Sequence, residues 1–529
     1  MKRRAFIKTA VPAAVIPSLI GGFTFEAIGA TSWLSALTAA NTETDHVLVL
    51  IQLNGGNDGL NTVIPIDQYS NLSSARSNII LPENKILPLA GFAATGLHPA
   101  MTGLKTLFDE GKLAVLQSVG YPSPNYSHFR ATDIWLTASN SNQVLSSGWA
   151  GRYLNEEYPN FPVGYPNATM PDPLAIQIGS VVSPGLQGPS ANMGMAISDP
   201  NNFYNLITGV QDAAPNTPAG KELTYIRQVI QQTQQFATVI KAAAAKVTQQ
   251  VPYPTSNYLA NQLKIVSRLI AGGLKTRIYM VSIGGFDTHA GQVDATQKEL
   301  GNHASLLQKV SDSIKAFQDD LTFLKISNRV VGMTFSEFGR RVKSNSSGGT
   351  DHGAAAPLFV FGDPVKGGVL GTNPVIGTTV NEYDNLPMQH DFRSVYASLL
   401  QNWFCVPTST LNNVMFENFQ PLDLIKPTYT CSTGGVISNT NLNAGKKLIS
   451  NYPNPFIGST TIEIITTAGY TLVQVFNIQG QLIKVLQDGV MTAGTHQLTF
   501  EDEGWGPGIY YARLQNASIQ QMRTLVIAR

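Results

Sequence analysis

His46-Val47-Leu48-Val49-Leu50-Ile51-Gln52-Leu53-Asn54-Gly55-Gly56-Asn57-Asp58-Gly59-Leu60-Asn61 is the stretch on which the fold turns. An apolar run of strand length, His46–Leu53, stops at a loop with two adjacent glycines, as a strand buried on both faces does where it leaves a sheet. The glycines bring backbone close, and Asp58 offers a carboxylate there. Three further runs of this kind, Leu113–Val119, Arg277–Ile283 and Arg329–Phe335, are joined by Leu358–Phe361 as a fifth. Between them Lys221–Gln250, Tyr258–Ala271 and Asn302–Leu324 read as helices. This alternation, from about Asp45 to Lys426, predicts an α/β domain with a mostly parallel sheet flanked by helices. Asn155–Asn216, dense in Pro, Gly and Asn, reads as irregular excursions over the sheet, where a substrate-shaping cap would sit.

The composition narrows the function. With 35 basic and 34 acidic side chains among 529 residues, the formal net charge is +1, which leaves no global field to draw in a nucleic-acid backbone. Only Cys405 and Cys431 occur, so a disulfide framework and a Cys-rich zinc module are excluded, while one bridge and two free thiols both stay open. At the start, Lys2-Arg3-Arg4 precedes a weakly charged apolar run, Thr9–Phe25, broken by Pro12, Pro17 and Gly21-Gly22. Residues 1–40 resemble a twin-arginine export signal, which implies handling by the twin-arginine translocase. No later segment is apolar for long enough to span a bilayer, so no transmembrane span is expected in the mature protein. Residues 427–448 turn to Thr, Ser, Asn and Gly and read as a linker between a 41–426 domain and a 449–529 domain. In the latter, short alternating strands such as Thr460–Ile465, Thr471–Phe476 and Ile509–Leu514 predict a small all-β sandwich.

Ligands in open α/β sheets gather beyond the carboxyl ends of the strands. After the second run, Tyr121-Pro122-Ser123-Pro124-Asn125-Tyr126-Ser127-His128-Phe129-Arg130 delivers Ser127 to a helix start. The third run ends in Gly284-Gly285-Phe286-Asp287-Thr288-His289, and the fourth in Ser336-Glu337-Phe338-Gly339-Arg340-Arg341, followed by Gly349-Thr350-Asp351-His352-Gly353. Carboxylate and imidazole so placed suit a divalent cation of the zinc or manganese type, and a hydroxyl among them can serve as nucleophile. The plainer readings are that Asp58 caps a turn, that Asp351 and His352 bond within their loop, and that Ser127 caps its helix. Arg130, Arg340 and Arg341 carry the forked donors that hold an anionic ester. His390, at the start of the helix Asp391–Phe404, either leans into the crevice or caps. His46, His98 and His303 read as structural, and His496 lies in the tail.

Two resemblances follow. The last 80 or so residues resemble the C-terminal sorting domain of the type IX secretion system, on Tyr452-Pro453-Asn454-Pro455-Phe456, Val475-Phe476-Asn477-Ile478-Gln479-Gly480 and Gly508-Ile509-Tyr510-Tyr511. That implies a Bacteroidetes-type cell, type IX machinery as partner, and passage through the periplasm to the outer-membrane surface or the medium. The span 45–405 resembles the DUF1501 family of exported proteins, itself similar to the alkaline phosphatase and sulfatase superfamily. The carrying motifs are Leu53–Asn61, Gly96-Leu97-His98-Pro99, Ser127-His128-Phe129, Gly285–His289, Ser336–Arg340, Gly349–Gly353 and His390-Asp391-Phe392-Arg393.

The second resemblance implies a two-metal hydrolase of phosphate or sulfate esters. Ser127 falls at the nucleophile, Asp287, His289 and His352 at one metal site (Zn or Mn), and Asp58 and Glu337 at the other. Glu337 stands where relatives carry Asp and Phe338 where many carry His, which leaves an oxygen-only site suited to Mn, Mg or Ca. Asp287 and His289 are also closer together than in typical members. The expected function is an exported metal-dependent ester hydrolase acting on an anionic substrate, with Arg130, Arg340 and His390 as substrate contacts. The alternative is a non-catalytic surface protein that keeps the ion site and binds a glycan or protein partner.

Overall fold

The computed structural model describes residues 44–200, 235–429, 449–466, 468–477, 482–516 and 519–528, so the expected export signal and most of the linker lie outside the described residues. The described residues divide into two compact units, one within 43–431 and the other within 432–529.

The first unit is built on nine strands: β1 Val47–Leu53, β2 Leu113–Gly120, β3 Ala175–Ile178, β4 Gly194–Ile197, β5 Ile278–Ile283, β6 Val330–Phe335, β7 Ala356–Phe361, β8 Gly368–Leu370 and β9 His390–Asp391. Their order is β8-β2-β7-β6-β1-β5-β3-β4, with β9 also on β2. β1 sits centrally between β5 and β6 and is parallel to both, Leu50 facing Met280 on one side and Met333 on the other. A central strand buried on both faces needs apolar side chains throughout, hence its unbroken run. Only β7 runs against its neighbours. Part of the stretch read as irregular, 155–216, supplies two more parallel strands, β3 and β4. They are only four residues each, too short for a periodic signal among prolines and glycines.

Successive residues of β1 go to opposite cores, as the two-residue period demands. Leu48 and Leu50 pack with Trp135 of α2 (His128–Thr137), Trp149 of α3 (Trp149–Glu157) and Phe392 of α6 (Phe392–Ser398). Val47, Val49 and Ile51 pack with Leu104 of α1 (Thr102–Asp109), Leu263 of α4 (Tyr258–Ala271) and Phe317 of α5 (Asn302–Phe323). The sheet is therefore covered on both faces, and its reactive side chains must come from the strand ends. Because β7 is antiparallel, its beginning lies at the same edge as the ends of β1, β2, β5 and β6. A short ribbon carries the chain back there, with Arg340 bridged to His352 and Gly353 N–H bonded to Gly339 O at 2.8 Å.

The second unit holds two antiparallel sheets. β10 Ile449–Tyr452, β11 Ser459–Thr466 and β14 Gly494–Glu501 form one; β12 Gly469–Asn477, β13 Leu482–Met491, β15 Gly508–Asn516 and β16 Ile519–Ile527 form the other. Ile462, Ile464, Val473, Val475, Phe500 and Leu514 close the core between them. Cys405 is disulfide-bonded, and Cys431 lies outside the described residues.

Candidate metal centre at the strand ends

The loop after β5 is clamped from two sides. Gly55 has φ +123°, and a Cβ there would lie 2.3 Å from the Asp287 amide nitrogen; a Cβ on Gly349 would lie 2.3 Å from Thr288 O. No side chain fits at either place, so the glycines let two backbones close on Phe286–His289. The loop presents Asp287 and His289, the return ribbon adds His352, and the first residue of α2 adds His128.

Ligand atoms of His128, Asp287 and His352 all lie within 4.8 Å of one another. His289 joins them, its Nε2 lying 2.9 Å from His352 Nε2 and 3.1 Å from Asp287 Oδ1. The Nε2 atoms of His128 and His352 are each 3.5 Å from an Asp287 carboxylate oxygen. Each imidazole is anchored at its other nitrogen by a group that can only accept. His128 Nδ1 lies 2.8 Å from Glu337 Oε1, His289 Nδ1 lies 3.2 Å from Asp351 Oδ1, and His352 Nδ1 lies 2.7 Å from Tyr126 O. Those partners fix the proton on Nδ1 and leave a lone pair on each Nε2, the arrangement that prepares histidines for a cation. The Nε2 atoms of His289 and His352, 2.9 Å apart, are close enough to share either a proton or a cation. These separations run from 2.9 to 3.5 Å, against a ligand–ligand edge of ~3.3 Å for a cation with ~2.0–2.1 Å bonds, with His128 meeting Oδ2 of Asp287 and the other two imidazoles meeting Oδ1. The residues present therefore fit a divalent cation.

The electrostatics keep the ligands in binding form. Burial alone pushes Asp287 up, but the Arg340 guanidinium, bonded at 2.7 Å, outweighs it and holds the carboxyl below its ordinary range. Burial pushes His352 down, the Tyr126 carbonyl pulls it back up, and the nearby Arg340 charge adds to the lowering, which wins. Asn345 and His289 hold Asp351 down against its burial. Phe338 packs its ring 4.9 Å from His128 and 4.5 Å from His352, walling the centre from beneath.

The remaining expected residues go elsewhere. Asp58 is wholly buried, and its carboxylate accepts from Arg76 Nη1 at 2.7 and 2.8 Å and from Gln292 Nε2 at 2.6 Å. Burial raises its pKa, yet Arg76 and its other partners more than reverse this. A guanidinium thus lies against the carboxylate that was expected to help hold the oxygen-only cation. Gln292 also accepts from Thr288 and Thr350, each at 3.0 Å, so Asp58 braces the two ligand loops through Gln292. Glu337 likewise serves through another residue: it accepts from Gly55 N–H at 2.9 Å and holds His128.

Arg340, expected on substrate, is fully buried and its donors go to Gly56 O, Thr350 O, Gly55 O, Phe286 O and Asp287. Arg130 pairs with Asp133 and turns to the carbonyls of Asn140 and Gln143. His390 stands on β9 beside Val119 and is not among the clustered side chains. Arg341 reaches Tyr383 O and lies over the Tyr126 ring, 5.0 Å from its centroid, at the rim. Ser127 is exposed at the N-cap of α2, its hydroxyl making no capping bond. His46, His98 and His303 are held within the fold: His46 stacks on Trp403, and His303 Nε2 bonds Asn57 Oδ1 at 2.9 Å. His128, a member of the cluster, follows Ser127 directly, and the helix start that drew attention to the hydroxyl was also its signal.

Residues 113–402 match a family described as "Protein of unknown function (DUF1501)". Residues 450–528 match a "Secretion system C-terminal sorting domain". No match was found among curated proteins. Solved structures similar to the chain include a sulfatase from Pseudoalteromonas sp., 11% identical, covering 89% of this chain and 87% of that one at a TM-score of 0.30. A protein in the alkaline phosphatase superfamily from Vibrio parahaemolyticus is 9% identical, covering 91% and 82% at 0.32. A phosphonate monoester hydrolase from Silicibacter pomeroyi is 9% identical, covering 90% and 88% at 0.30. Likeness at these scores says nothing of this chain's chemistry. Among the described residues, no helix is long and apolar enough to cross a membrane.

Proposed function

The chain belongs to the DUF1501 family, a description that assigns no activity, and from its own residues we propose that it is a metal-dependent hydrolase of phosphate or sulfate esters. Its sorting domain implies export to the cell surface or the extracellular space. The observation that carries the proposal is the meeting of His128, Asp287 and His352, their ligand atoms all within 4.8 Å of one another, with His289 Nε2 beside His352 and Asp287. His128, Asp287, His289 and His352 are the residues that hold the ion, of the zinc or manganese type by their donor set. Bound there, such a cation supplies Lewis acidity toward an ester oxygen.

The chain's own groups do the rest. Ser127 stands next to His128 with its hydroxyl uncommitted, and is the nucleophile of this reading. Its oxygen forms a bond to phosphorus or sulfur as the bond to the alcohol oxygen breaks, and the hydroxyl proton leaves with the alcohol; water then adds its oxygen to phosphorus or sulfur and its proton to Ser127, releasing the acid and restoring the hydroxyl. The amides of the first turn of α2 lack a side-chain cap, and in this reading they donate to the anionic ester. Phe338 excludes water from below, and Arg340 keeps Asp287 ionised.

One observation favours the alternative of a non-catalytic surface protein with a single ion site: Arg76 takes the carboxylate on which a second cation would depend. Elemental analysis together with aryl phosphate, phosphodiester and aryl sulfate substrates separates the two. Bound metal with turnover supports the hydrolase; bound metal without turnover on any ester supports the alternative.

A further inference from the structure

Of the three imidazoles at the centre, His289 is the least enclosed. Its side chain is 44% exposed, and that of Asp351, which anchors its Nδ1, is 56% exposed. A pair so open to solvent holds its own geometry weakly, because water competes for both partners and each side chain keeps other rotamers. Glu337, by contrast, anchors His128 from a side chain only 3% exposed.

Asn345 supplies what this pair lacks. Its Nδ2 donates to Asp351 Oδ1 at 3.0 Å, the same oxygen that meets His289 Nδ1, and to the backbone oxygen of His289 at 2.9 Å. One amide group thus grips His289 at its carbonyl and, through Asp351, at its ring. At the other end Asn345 Oδ1 accepts from the backbone amides of Ser347 and Gly349 at 3.0 and 3.1 Å. Backbone N–H groups only donate, and carbonyl and carboxylate oxygens only accept, so these four partners settle which end of the side-chain amide is which. The Asn345 backbone N–H donates to Gly349 O at 2.9 Å, and Gly349 is the residue whose missing Cβ lets the chain close on Thr288 and His289. Neither Ser, with one donor, nor ionised Asp, with none, offers the same two donors.

We propose that Asn345 is a positioning residue of this centre, the one that sets His289 beside His128, Asp287 and His352 as a fourth ligand. The proposal rests on the metal-centre reading of the cluster for what His289 binds. How the His289 ring is held is a property of the chain alone, and it is measured without metal.

The test is Asn345→Asp in the full chain, alone and combined with His289→Ala. The substitution keeps the size of the side chain and the acceptor for Ser347 and Gly349, loses both donors, and faces Asp351 with a like charge. Zinc affinity, by competition against a chromophoric chelator, is expected to fall about 10- to 100-fold. In the His289→Ala background the same substitution is expected to change it by less than about twofold, the scatter of independent sites. Long-range proton–nitrogen NMR of the metal-free chain reads the ring itself: His289 is expected to carry its proton on Nδ1 in the wild type and to lose that preference in Asn345→Asp. Unchanged affinity, an equal loss with and without His289, or a His289 tautomer indifferent to the substitution overturns the proposal. A wild-type chain that takes up no zinc, its His289 tautomer still dependent on Asn345, would remove the metal reading and leave the positioning of His289 standing.

Discussion

Glu337 Oε1 lies 2.8 Å from Nδ1 of His128, across 209 positions of sequence. The contact joins the end of β6 to the start of α2 and turns the other nitrogen of His128 toward Asp287. Glu337→Gln keeps the size but loses the charge that fixes this tautomer. Metal affinity is expected to fall about 10- to 100-fold, the usual cost of removing such a partner, with the fold intact. Competition against a chromophoric chelator measures it, and unchanged affinity would take Glu337 out of the site.

Asp58 and Arg76 make a separate claim. Breaking a buried pair leaves one charge without compensation, at a cost of about 3–5 kcal/mol, so Asp58→Ala should lower the denaturant midpoint sharply. The folded fraction should still bind metal in the same stoichiometry. Loss of half the bound metal would instead restore Asp58 as a ligand.

Ser127→Ala is expected to abolish ester turnover while metal content stays the same. Because the hydroxyl makes no capping bond, stability should change little. Full retained activity would exclude Ser127 as the nucleophile.

Acid should unfold the first unit through His98 and His303. Burial pushes His98 down to about 3, helped by His303, and pushes His303 down to about 4 against the pull of Asp58. Both imidazoles are neutral in the fold and protonate near pH 6.5 when unfolded. Their contribution is therefore complete above pH 6.5 and is lost as pH falls from there toward 4, at about 1.4 kcal/mol per pH unit for each ring. Denaturant midpoints at pH 7.5, 6 and 5 check this. His303→Gln should flatten the slope by roughly half, and a wild-type midpoint that does not move between pH 7 and 5 would contradict it.

The sheet was legible because burial on both faces writes apolar runs such as Val47–Leu53 and Val330–Phe335 directly into the chain. The direction of β7 was not, since a return ribbon of hydrogen bonds sets it. Asp287 and His289 drew attention by residue type after a strand, and His352 through the resemblance of its loop to a family segment. His128 was hidden by the more conspicuous hydroxyl beside it. Asp58 and Arg340 carry charges that read as reactive in a sequence, yet Arg76 and a ring of carbonyls bury them. Partners brought together only by folding decide whether a charged side chain braces a site or acts in it.

X-ray absorption at the metal edge of the purified full chain tests the central claim most directly. One zinc- or manganese-type ion per chain, with about three imidazole nitrogens in its shell at ~2.0–2.1 Å for zinc and lost in His352→Ala, is the predicted result. A chain that takes up no stoichiometric metal, or one whose bound metal shows no imidazole neighbours, would contradict it.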